Sequence, residues 1–259
     1  MNDNYKNAEK EHYDLAAGSK RKADDNTIPI NDKVLISSQY FFLKRLENLI
    51  NNRTVKVLDY GCGQGLKLID LAKPSVQIFG IDISPKSISF ANQIKTEKNL
   101  NMHFEVMDCE KTTFPDNFFD IIADFGTFSS LNINCAIPEV VRILKPDGYL
   151  ISIETLGHNP FPNFKRYVNV LFGQRTKWAA AHIMKLNDWE LAKSFFYNSE
   201  MEYFGLTVLF LAPFLRILPS AWHERIISGF EKIDRWLLSK NIFQKYAFKT
   251  VVILAKPKK

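Results

Sequence analysis

Short apolar runs alternate with segments of helical periodicity through the first 155 residues. Largely β-branched runs over residues 55–58, 76–81 and 102–107 predict buried strands. The segment 85–95, which begins with proline after Ser84, predicts a helix between two of them. Because β-α-β repetition builds a parallel sheet covered by helices on both faces, the pattern predicts a doubly wound α/β fold. Its ligands are expected at the carboxyl ends of the strands.

The same kind of pattern extends to both sides of these elements. Residues 33–50 carry apolar side chains at helical spacing before the first strand. Later residues predict a fourth strand within 114–131, a helix over 139–144, a turn and fifth strand over 145–154, a helix over 188–197, and strands near 201–211 and 248–255. Roughly 35 residues separate the last two strands. A hairpin needs only a few residues, so this connection is an insertion with a purpose of its own.

A glycine loop follows the first strand, which is expected to stop at Asp59. Glycines 61, 63 and 65 predict a tight turn that leaves room for a ligand, and the spacing of Leu66, Ile69 and Leu71 predicts a helix after it. A dinucleotide fingerprint places its third glycine one residue later, where this chain has Leu66. The loop therefore fits a pyrophosphate poorly.

The motif Asp59-x-Gly-Cys-Gly-x-Gly resembles motif I of the class I S-adenosylmethionine-dependent methyltransferases, in particular the type 11 group. The resemblance covers about residues 34–155 and includes a Lys-Pro-Asp-Gly turn at 145–148. It implies a Rossmann-like, mostly parallel seven-stranded sheet whose last two strands pair antiparallel, here with the helical insertion between them. Many members carry a His-His pair where this chain has Ser129 and Ser130, so no base role is carried over from those histidines.

The resemblance also implies which residues bind the cofactor. Asp82, at the end of the second strand, would accept the ribose hydroxyls, Ile83 would pack on the adenine, and Asp108 would accept the adenine amino group. The other expected contacts of S-adenosylmethionine are Tyr13, which would close over it, and Asp59, Gly61, Cys62, Gly63, Cys109, Asp124 and Phe125. Each carboxylate could instead cap a helix, and Tyr13 could be a surface aromatic.

Polar residues after the fifth strand are candidates for the acceptor site. Glu154, His158 and His182 are candidate catalytic residues, and Arg166 and Arg175 are candidates for substrate binding. A hydroxyl acceptor would need a general base, for which His158 or His182 is predicted, whereas a carboxylate acceptor would need none. His158 could equally be paired within its loop, and His182 could simply lie on an alanine-rich helix.

Charge is distributed unevenly along the chain. Residues 1–155 carry 18 Lys and Arg against 21 Asp and Glu, a net −3, whereas residues 156–259 carry 16 against 7, a net +9. This asymmetry suggests an anionic partner for the second part, whether nucleic acid, an acidic substrate or a membrane surface. Of these, nucleic acid is not expected. A solvated basic face is the simpler alternative.

The insertion, residues 204–240, has the composition of an interfacial segment. Its apolar run over 204–215 is too short to cross a bilayer, which takes roughly 20 residues. A basic amphipathic helix is predicted over 222–240, with one apolar face formed by Trp222, Ile226, Ile227, Phe230, Ile233 and Leu237. The segment is expected either to rest on an anionic membrane as a lid over the acceptor pocket or to pack on the sheet.

These observations define three regions: an N-terminal arm (1–30) with a short helix over 9–17, a cofactor-binding core (31–155) and an acceptor-binding part (156–259). The three cysteines form no Cys-x-x-Cys pair and the five histidines show no ligand spacing, so no metal is expected. No secretory signal is evident, which predicts a cytoplasmic protein. Peripheral binding to the cytoplasmic face of the membrane is the alternative kept open.

The expected activity is methylation of an oxygen or nitrogen of a small or lipid-linked acceptor. The alternatives are a nucleotide-binding reductase and a catalytically silent cofactor-binding or membrane-scaffold protein.

Overall fold

The computed structural model describes residues 4–18, 35–51, 53–172 and 175–259. The elements up to the fifth strand are α1 (Asn4–Gly18), α2 (Ile36–Ile50), β1 (Val55–Tyr60), β2 (Val76–Asp82), α3 (Pro85–Glu97), β3 (Met102–Val106), β4 (Phe119–Asp124), α4 (Ile133–Ile143) and β5 (Leu144–Thr155). After them come α5 (Pro160–Leu171), α6 (Lys177–Ala181), α7 (Leu186–Ser194), β6 (Phe196–Phe204), α8 (Ala212–Leu215), α9 (Ser220–Leu238), α10 (Asn241–Gln244) and β7 (Lys249–Pro257).

The seven strands form one sheet in the order β3-β2-β1-β4-β5-β7-β6. The first five are parallel, and β7 runs antiparallel to both β5 and β6. The predicted fold is therefore confirmed, including the antiparallel pair at the edge. The strand order reverses between β1 and β4, which is where open α/β sheets bind their ligands.

The central strands are apolar on both faces because helices cover both. Val57 points into the cluster that contains Phe42 and Leu46 of α2, whereas Leu58 belongs to the opposite cluster with Trp189 of α7. Strand residues alternate between faces, so continuous apolar runs of this kind are typical of buried parallel strands.

The helix predicted after the glycine loop does not form. Only the 3₁₀ turn Ile69–Leu71 lies between β1 and β2. Ten residues, 66–75, connect Gly65 to β2, and Pro74 within them disfavours helical backbone at the residue before it. The backbone N–H groups near the ligand site are therefore supplied by the loop itself.

Other element boundaries also differ from those predicted. The helix expected over 139–144 begins at Ile133, because the Asn132 side chain accepts the Asn134 N–H and Pro138 is accommodated inside the helix. The strand expected near 201–211 is β6, which ends before Gly205, whose φ is +74°. Residues 1–3 and 19–30 of the predicted arm lie outside the described residues, and the division into three regions stays a prediction.

The insertion between β6 and β7 begins at the edge of the sheet where the parallel strands end. Phe204 pairs with Lys249, and Lys249 pairs with Thr155 at the carboxyl end of β5. Asp234 of α9 accepts the backbone N–H groups of Leu206 and Thr207 at 2.8 and 2.6 Å, which fixes the helix to the start of the insertion. No helix in the described part of the chain is long and apolar enough to span a bilayer.

The single apolar face predicted for α9 is wrong, because the structure divides it. The buried face consists of His223, Ile227, Asp234 and Leu238. Trp222 and Ile233 of the predicted stripe are 60% and 47% exposed, and Trp236 beside them is 67% exposed. The helix therefore packs on the domain with one face and presents a second, aromatic face to solvent.

Candidate active site

A cavity of about 180 Å³ lies at the carboxyl ends of β1, β2 and β4. Eight of the predicted cofactor residues line it: Tyr13, Gly61, Gly63, Asp82, Ile83, Asp108, Cys109 and Phe125. Its position at the reversal of strand order is the one expected for a ligand of this fold.

The glycine loop forms the floor of the cavity. Gly61 has φ +73°, and a Cβ there would lie 2.2 Å from Oγ1 of Thr127, so a side chain is excluded. Gly63 has φ +53°, and the space that its Cβ would enter is open to 4 Å. Positive φ angles favour glycine, and the missing side chain at Gly63 leaves room for a ligand against the backbone.

Asp82 is held in place by the loop. Its Oδ2 accepts the Gly63 N–H at 2.9 Å and its Oδ1 accepts the Ser84 N–H at 2.8 Å. Burial raises the pKa of Asp82, whereas these two hydrogen bonds lower it. Each carboxylate oxygen can accept more than one hydrogen bond, so both remain able to bind the two hydroxyls of a ribose. The residues of the cavity thus fit a nucleoside cofactor.

Helix α1 closes the cavity from above. Its Asp14 accepts the Ser84 hydroxyl at 2.6 Å and the Lys86 N–H at 3.2 Å, which attaches it to the start of α3. The hydroxyls of Tyr13 and Ser130 lie 3.2 Å apart. Tyr13 is 38% exposed and lines the cavity, in the position predicted for a residue that covers the cofactor.

The same helix contributes cavity residues that the sequence analysis missed: Tyr5, Lys6 and Glu9. Lys6 pairs with Asp108 at 2.6 Å and with Glu110 at 3.1 Å. Asp108, the carboxylate predicted to accept the adenine amino group, is therefore already paired with Lys6. The spacing of Tyr5, Glu9 and Tyr13, at i, i+4 and i+8, was the available signal, because such residues lie on one face of a helix.

Asp59, Cys62 and Asp124 are not among the described residues that line the cavity. Asp59 is 1% exposed, and burial followed by the charges of Asp124 and Asp82 raises its pKa to about 8. Asp124 accepts the Ser152 hydroxyl at 2.5 Å and the Thr127 N–H at 2.8 Å. In the structure Asp124 orients the loop after β4, and cofactor contact by these three residues stays a prediction.

The predicted acceptor residues meet beside this loop. Glu154 at the end of β5 is 1% exposed, and Ser129 donates its N–H to Glu154 Oε1 at 3.3 Å. Arg175 donates to the Ser129 hydroxyl at 3.3 Å. Burial and the charge of Asp124 raise the pKa of Glu154 to about 8. The charge of Lys249 and two backbone hydrogen bonds lower this pKa less than burial raises it. Arg166 is 8% exposed and interacts electrostatically with Glu154.

The two histidines have different surroundings. His158 Nε2 accepts the Leu186 N–H at 3.2 Å at the start of α7, and burial followed by Lys185 lowers its pKa. Its geometry is that of a structural acceptor. His182 is exposed and stacks on Trp178 with ring centroids 3.5 Å apart. It lines a second cavity, of about 750 Å³, that shares Tyr5 with the first.

No group of three His, Cys, Asp or Glu side chains among the described residues is arranged to hold a metal ion.

Comparison with known proteins agrees with this fold. A family model described as a methyltransferase domain matches residues 51–200. Phosphoethanolamine N-methyltransferase 3 of Arabidopsis thaliana is 34% identical over 117 residues, which are 44% of this chain and 24% of that protein. Ubiquinone biosynthesis O-methyltransferase of Coxiella burnetii is 30% identical over 132 residues, 51% of this chain and 54% of that protein.

A solved structure is similar over almost the full length. Geranyl diphosphate C-methyltransferase from Streptomyces coelicolor A3(2) superposes with a TM-score of 0.61, covering 98% of both chains at 12% identity. This likeness shows the fold alone. The chain spans about a quarter of the first of these curated relatives and about half of the second.

The fold and site define an α/β domain that binds a nucleoside cofactor at the switch point of its sheet. The family match covers more than half of the chain, and the chain therefore belongs to this family of methyltransferase domains.

Proposed function

We propose that this protein transfers the methyl group of S-adenosylmethionine to an oxygen or nitrogen of a small acceptor. The observation that carries the proposal is the cavity in which the glycine loop, Asp82 and α1 converge at the switch point. Family membership supports it, and so do the names of the relatives, which include an N- and an O-methyltransferase.

S-adenosylmethionine, when bound, supplies an electrophilic methyl group on a sulfonium. Asp82 would hold the ribose, and Gly63 would leave room for the cofactor against the backbone. Helix α1 would exclude water, with Tyr13 covering the cavity beside Ser130. In-line transfer needs chiefly alignment of the two reactants, and such alignment lowers a barrier by several kcal/mol.

His182 is the better of the two predicted general bases. It lies in the second cavity, which adjoins the cofactor cavity through Tyr5, Lys6, Glu110 and Leu131. His158 already accepts a backbone N–H. A hydroxyl acceptor in the second cavity would lose its proton to His182 as the methyl group is transferred.

Several exposed apolar surfaces favour an acceptor with a lipid-like part. A groove of about 590 Å³ between α5 and α6 is lined by Tyr167, Val170 and Leu171, with Arg166 at one side. Tyr167 and Leu171 are 64% and 66% exposed. An apolar chain could lie along this groove, because exposed apolar surface of this kind is typical of binding sites.

The insertion would bring the enzyme to its acceptor. Phe214, Trp222 and Trp236 are each more than half exposed, and the second part of the chain carries a net charge of +9. Aromatic and basic side chains together are typical of segments that rest on an anionic membrane surface. We therefore place the protein in the cytoplasm, peripherally on the membrane, as part of this proposal.

Calorimetry with S-adenosylmethionine and S-adenosylhomocysteine tests cofactor binding, and NAD serves as the control that should not bind. Incubation with S-adenosylmethionine and a cell extract, separated into soluble and lipid fractions, tests activity. Formation of S-adenosylhomocysteine with a methylated product supports the proposal. Cofactor binding without turnover in either fraction would favour a silent cofactor-binding protein, and absence of binding would overturn the assignment.

A further inference from the structure

Three basic side chains converge on Glu154 at the edge of the sheet. Lys249 begins β7 and pairs with Thr155, the residue after Glu154. Arg175, in the segment before α6, donates a hydrogen bond to the Ser129 hydroxyl, and the Ser129 N–H binds Glu154. Arg166 of α5 interacts electrostatically with both Arg175 and Glu154. The cluster thus joins Arg166 and Arg175, which are close in the sequence, to a strand that begins more than 70 residues later.

These three cations have few hydrogen-bond partners and no ion-pair partner in the described chain. Arg166 is 92% buried, and its one hydrogen bond in the described chain is from Nη1 to Asn163 Oδ1 at 2.7 Å. Nε of Arg175 is buried and has no partner among the described residues. No carboxylate of the described residues lies within ion-pair distance of Arg166, Arg175 or Lys249. Buried charge is costly unless it is paired, so the cluster lacks an anion.

Glu154 lies within ion-pair distance of none of the three cations in the described chain. Burial, followed by the charge of Asp124, raises its pKa to about 8. Burial also lowers the pKa of Arg166 to about 10, with Arg175 adding to the effect, and lowers that of Lys249. With a pKa of about 10, Arg166 keeps its charge near pH 7, and a single carboxylate would offset only part of the charge of the cluster.

The cluster lies beside the cofactor cavity. Ser129 contacts both Glu154 and Arg175, and the next residue, Ser130, lines the cavity against Tyr13. Arg166 also borders the apolar groove between α5 and α6. A ligand on the cluster could therefore extend toward the transferred methyl group at one end and into the groove at the other.

We propose that Arg166, Arg175 and Lys249 form the binding site for a phosphate group of the acceptor. Two guanidinium groups and one ammonium match the charge and the oxygen geometry of a phosphate monoester. This inference rests on the proposed methyltransferase function and specifies the acceptor class. The phosphate belongs either to a soluble ester or to a lipid headgroup, and both present the same group to the cluster.

The test uses inorganic phosphate as the probe and the full chain saturated with S-adenosylhomocysteine. Phosphate should raise the melting temperature saturably, compared with chloride at equal ionic strength. Arg166→Met should weaken the apparent affinity for phosphate by tenfold or more. Without phosphate the same variant should be at least as stable as the native protein, because an unpaired buried cation has been replaced by an apolar side chain of similar length.

Arg235→Met is the matched control, since Arg235 is exposed on α9, and it should respond to phosphate like the native protein. If Arg166→Met does not fold, Arg175→Gln, at a half-buried position, tests the same loss of affinity for phosphate. An equal phosphate response in the native protein and in the folded cluster variants would overturn the site. Binding of S-adenosylhomocysteine, measured separately, tells this failure apart from failure of the methyltransferase assignment.

Two competition experiments identify the molecule that carries the phosphate group. Displacement of the probe by glycerol 3-phosphate indicates a soluble ester. Displacement only by vesicles that contain phosphatidic acid indicates a lipid headgroup. Either result supports the site, and displacement by neither, with phosphate still bound, overturns its assignment to the acceptor.

Discussion

The two sides of the active-site region differ in how they satisfy their charges. On the cofactor side, Asp82 accepts two backbone N–H groups and Asp108 is paired with Lys6. On the acceptor side, Arg166 and Lys249 have no carboxylate within ion-pair distance in the described chain. The charged side chains of the cofactor side have partners before a ligand binds, whereas the cations of the acceptor side would gain an anionic partner from the ligand.

This difference suggests a division of work. A preformed carboxylate and glycine loop can hold the same cofactor in every turnover, with little reorganisation. A cluster of cations of which one, Arg166, is buried is unfavourable alone and becomes favourable with an anion, so it discriminates against acceptors that lack one. Specificity would then lie in the part after Thr155, and the part before it would supply the common chemistry.

The largest expected effect concerns the acceptor side. His182→Gln should lower turnover by about 10²–10⁴-fold with unchanged affinity for S-adenosylmethionine, because it removes the proposed general base. His158→Gln is the matched control, since a glutamine oxygen can still accept the Leu186 N–H. Steady-state kinetics and calorimetry measure the two quantities. Near-native turnover of His182→Gln would mean that the acceptor needs no base or uses another group.

The second prediction concerns the buried carboxylates of the cofactor side. Burial raises the pKa of Asp59 to about 8, above the usual value near 4 that it regains on unfolding. Between about pH 4 and pH 8 the folded state holds a proton that the unfolded state releases, so stability falls as pH rises through this window. The side chain in Asp59→Asn cannot titrate. The free energy of unfolding of this variant should therefore fall less steeply as pH rises, by up to about 1.4 kcal/mol per pH unit.

Urea denaturation at pH 5, 6, 7 and 8 measures the slope. Asp124 and Glu154 also have raised pKa values, so part of the slope should remain in Asp59→Asn. Asp147→Asn, at an exposed position, should keep the native slope. Equal slopes for Asp59→Asn and the native protein would contradict the assignment of the proton to Asp59.

The third prediction concerns the ribose contact. Asp82→Ala should weaken binding of S-adenosylmethionine by about 1.5–3 kcal/mol for each hydrogen bond lost, because the acceptor in those bonds is charged. The same change leaves the Gly63 and Ser84 N–H groups without their partner, so Asp82→Asn, which keeps one oxygen, is measured beside it. Calorimetry that finds native affinity in both variants would refute the contact.

Most of the predicted cofactor residues line one cavity, because the signals that predicted them are local. The glycine loop and the carboxylates at strand ends are fixed by the chain within a few residues, and Asp82 and Gly63 meet in the structure as expected. The missing helix after Gly65 was a local error, since the short connection and Pro74 outweighed the apolar spacing.

The acceptor side depends on contacts between distant segments, which periodicity does not reveal. Tyr5 stacks on Trp178, and Glu9 accepts a hydrogen bond from Thr176, across more than 160 residues in each case. Lys249 joins Arg166 and Arg175 only because β7 inserts between β5 and β6. Candidate residues could be named from the sequence, but their grouping required the fold.

The smallest expected effect per residue concerns the membrane surface, which would extend the acceptor side beyond the pocket. Trp222, Ile233 and Trp236 are exposed on α9, and Arg225 and Lys232 are exposed beside them at helical spacing. Aromatic side chains would enter the interface while each basic residue contributes about 1 kcal/mol near an anionic surface, an attraction that decays within roughly 8 Å at physiological salt.

The variants Arg225→Gln and Lys232→Gln should each weaken cosedimentation with phosphatidylglycerol vesicles by about that amount, and high salt should weaken it for the native protein. Lys98→Gln, an equal charge change at an exposed position near the end of α3, should bind like the native protein. If the native protein stays in the supernatant at low salt, the aromatic face of α9 does not bind membranes, and a soluble acceptor follows for the phosphate site.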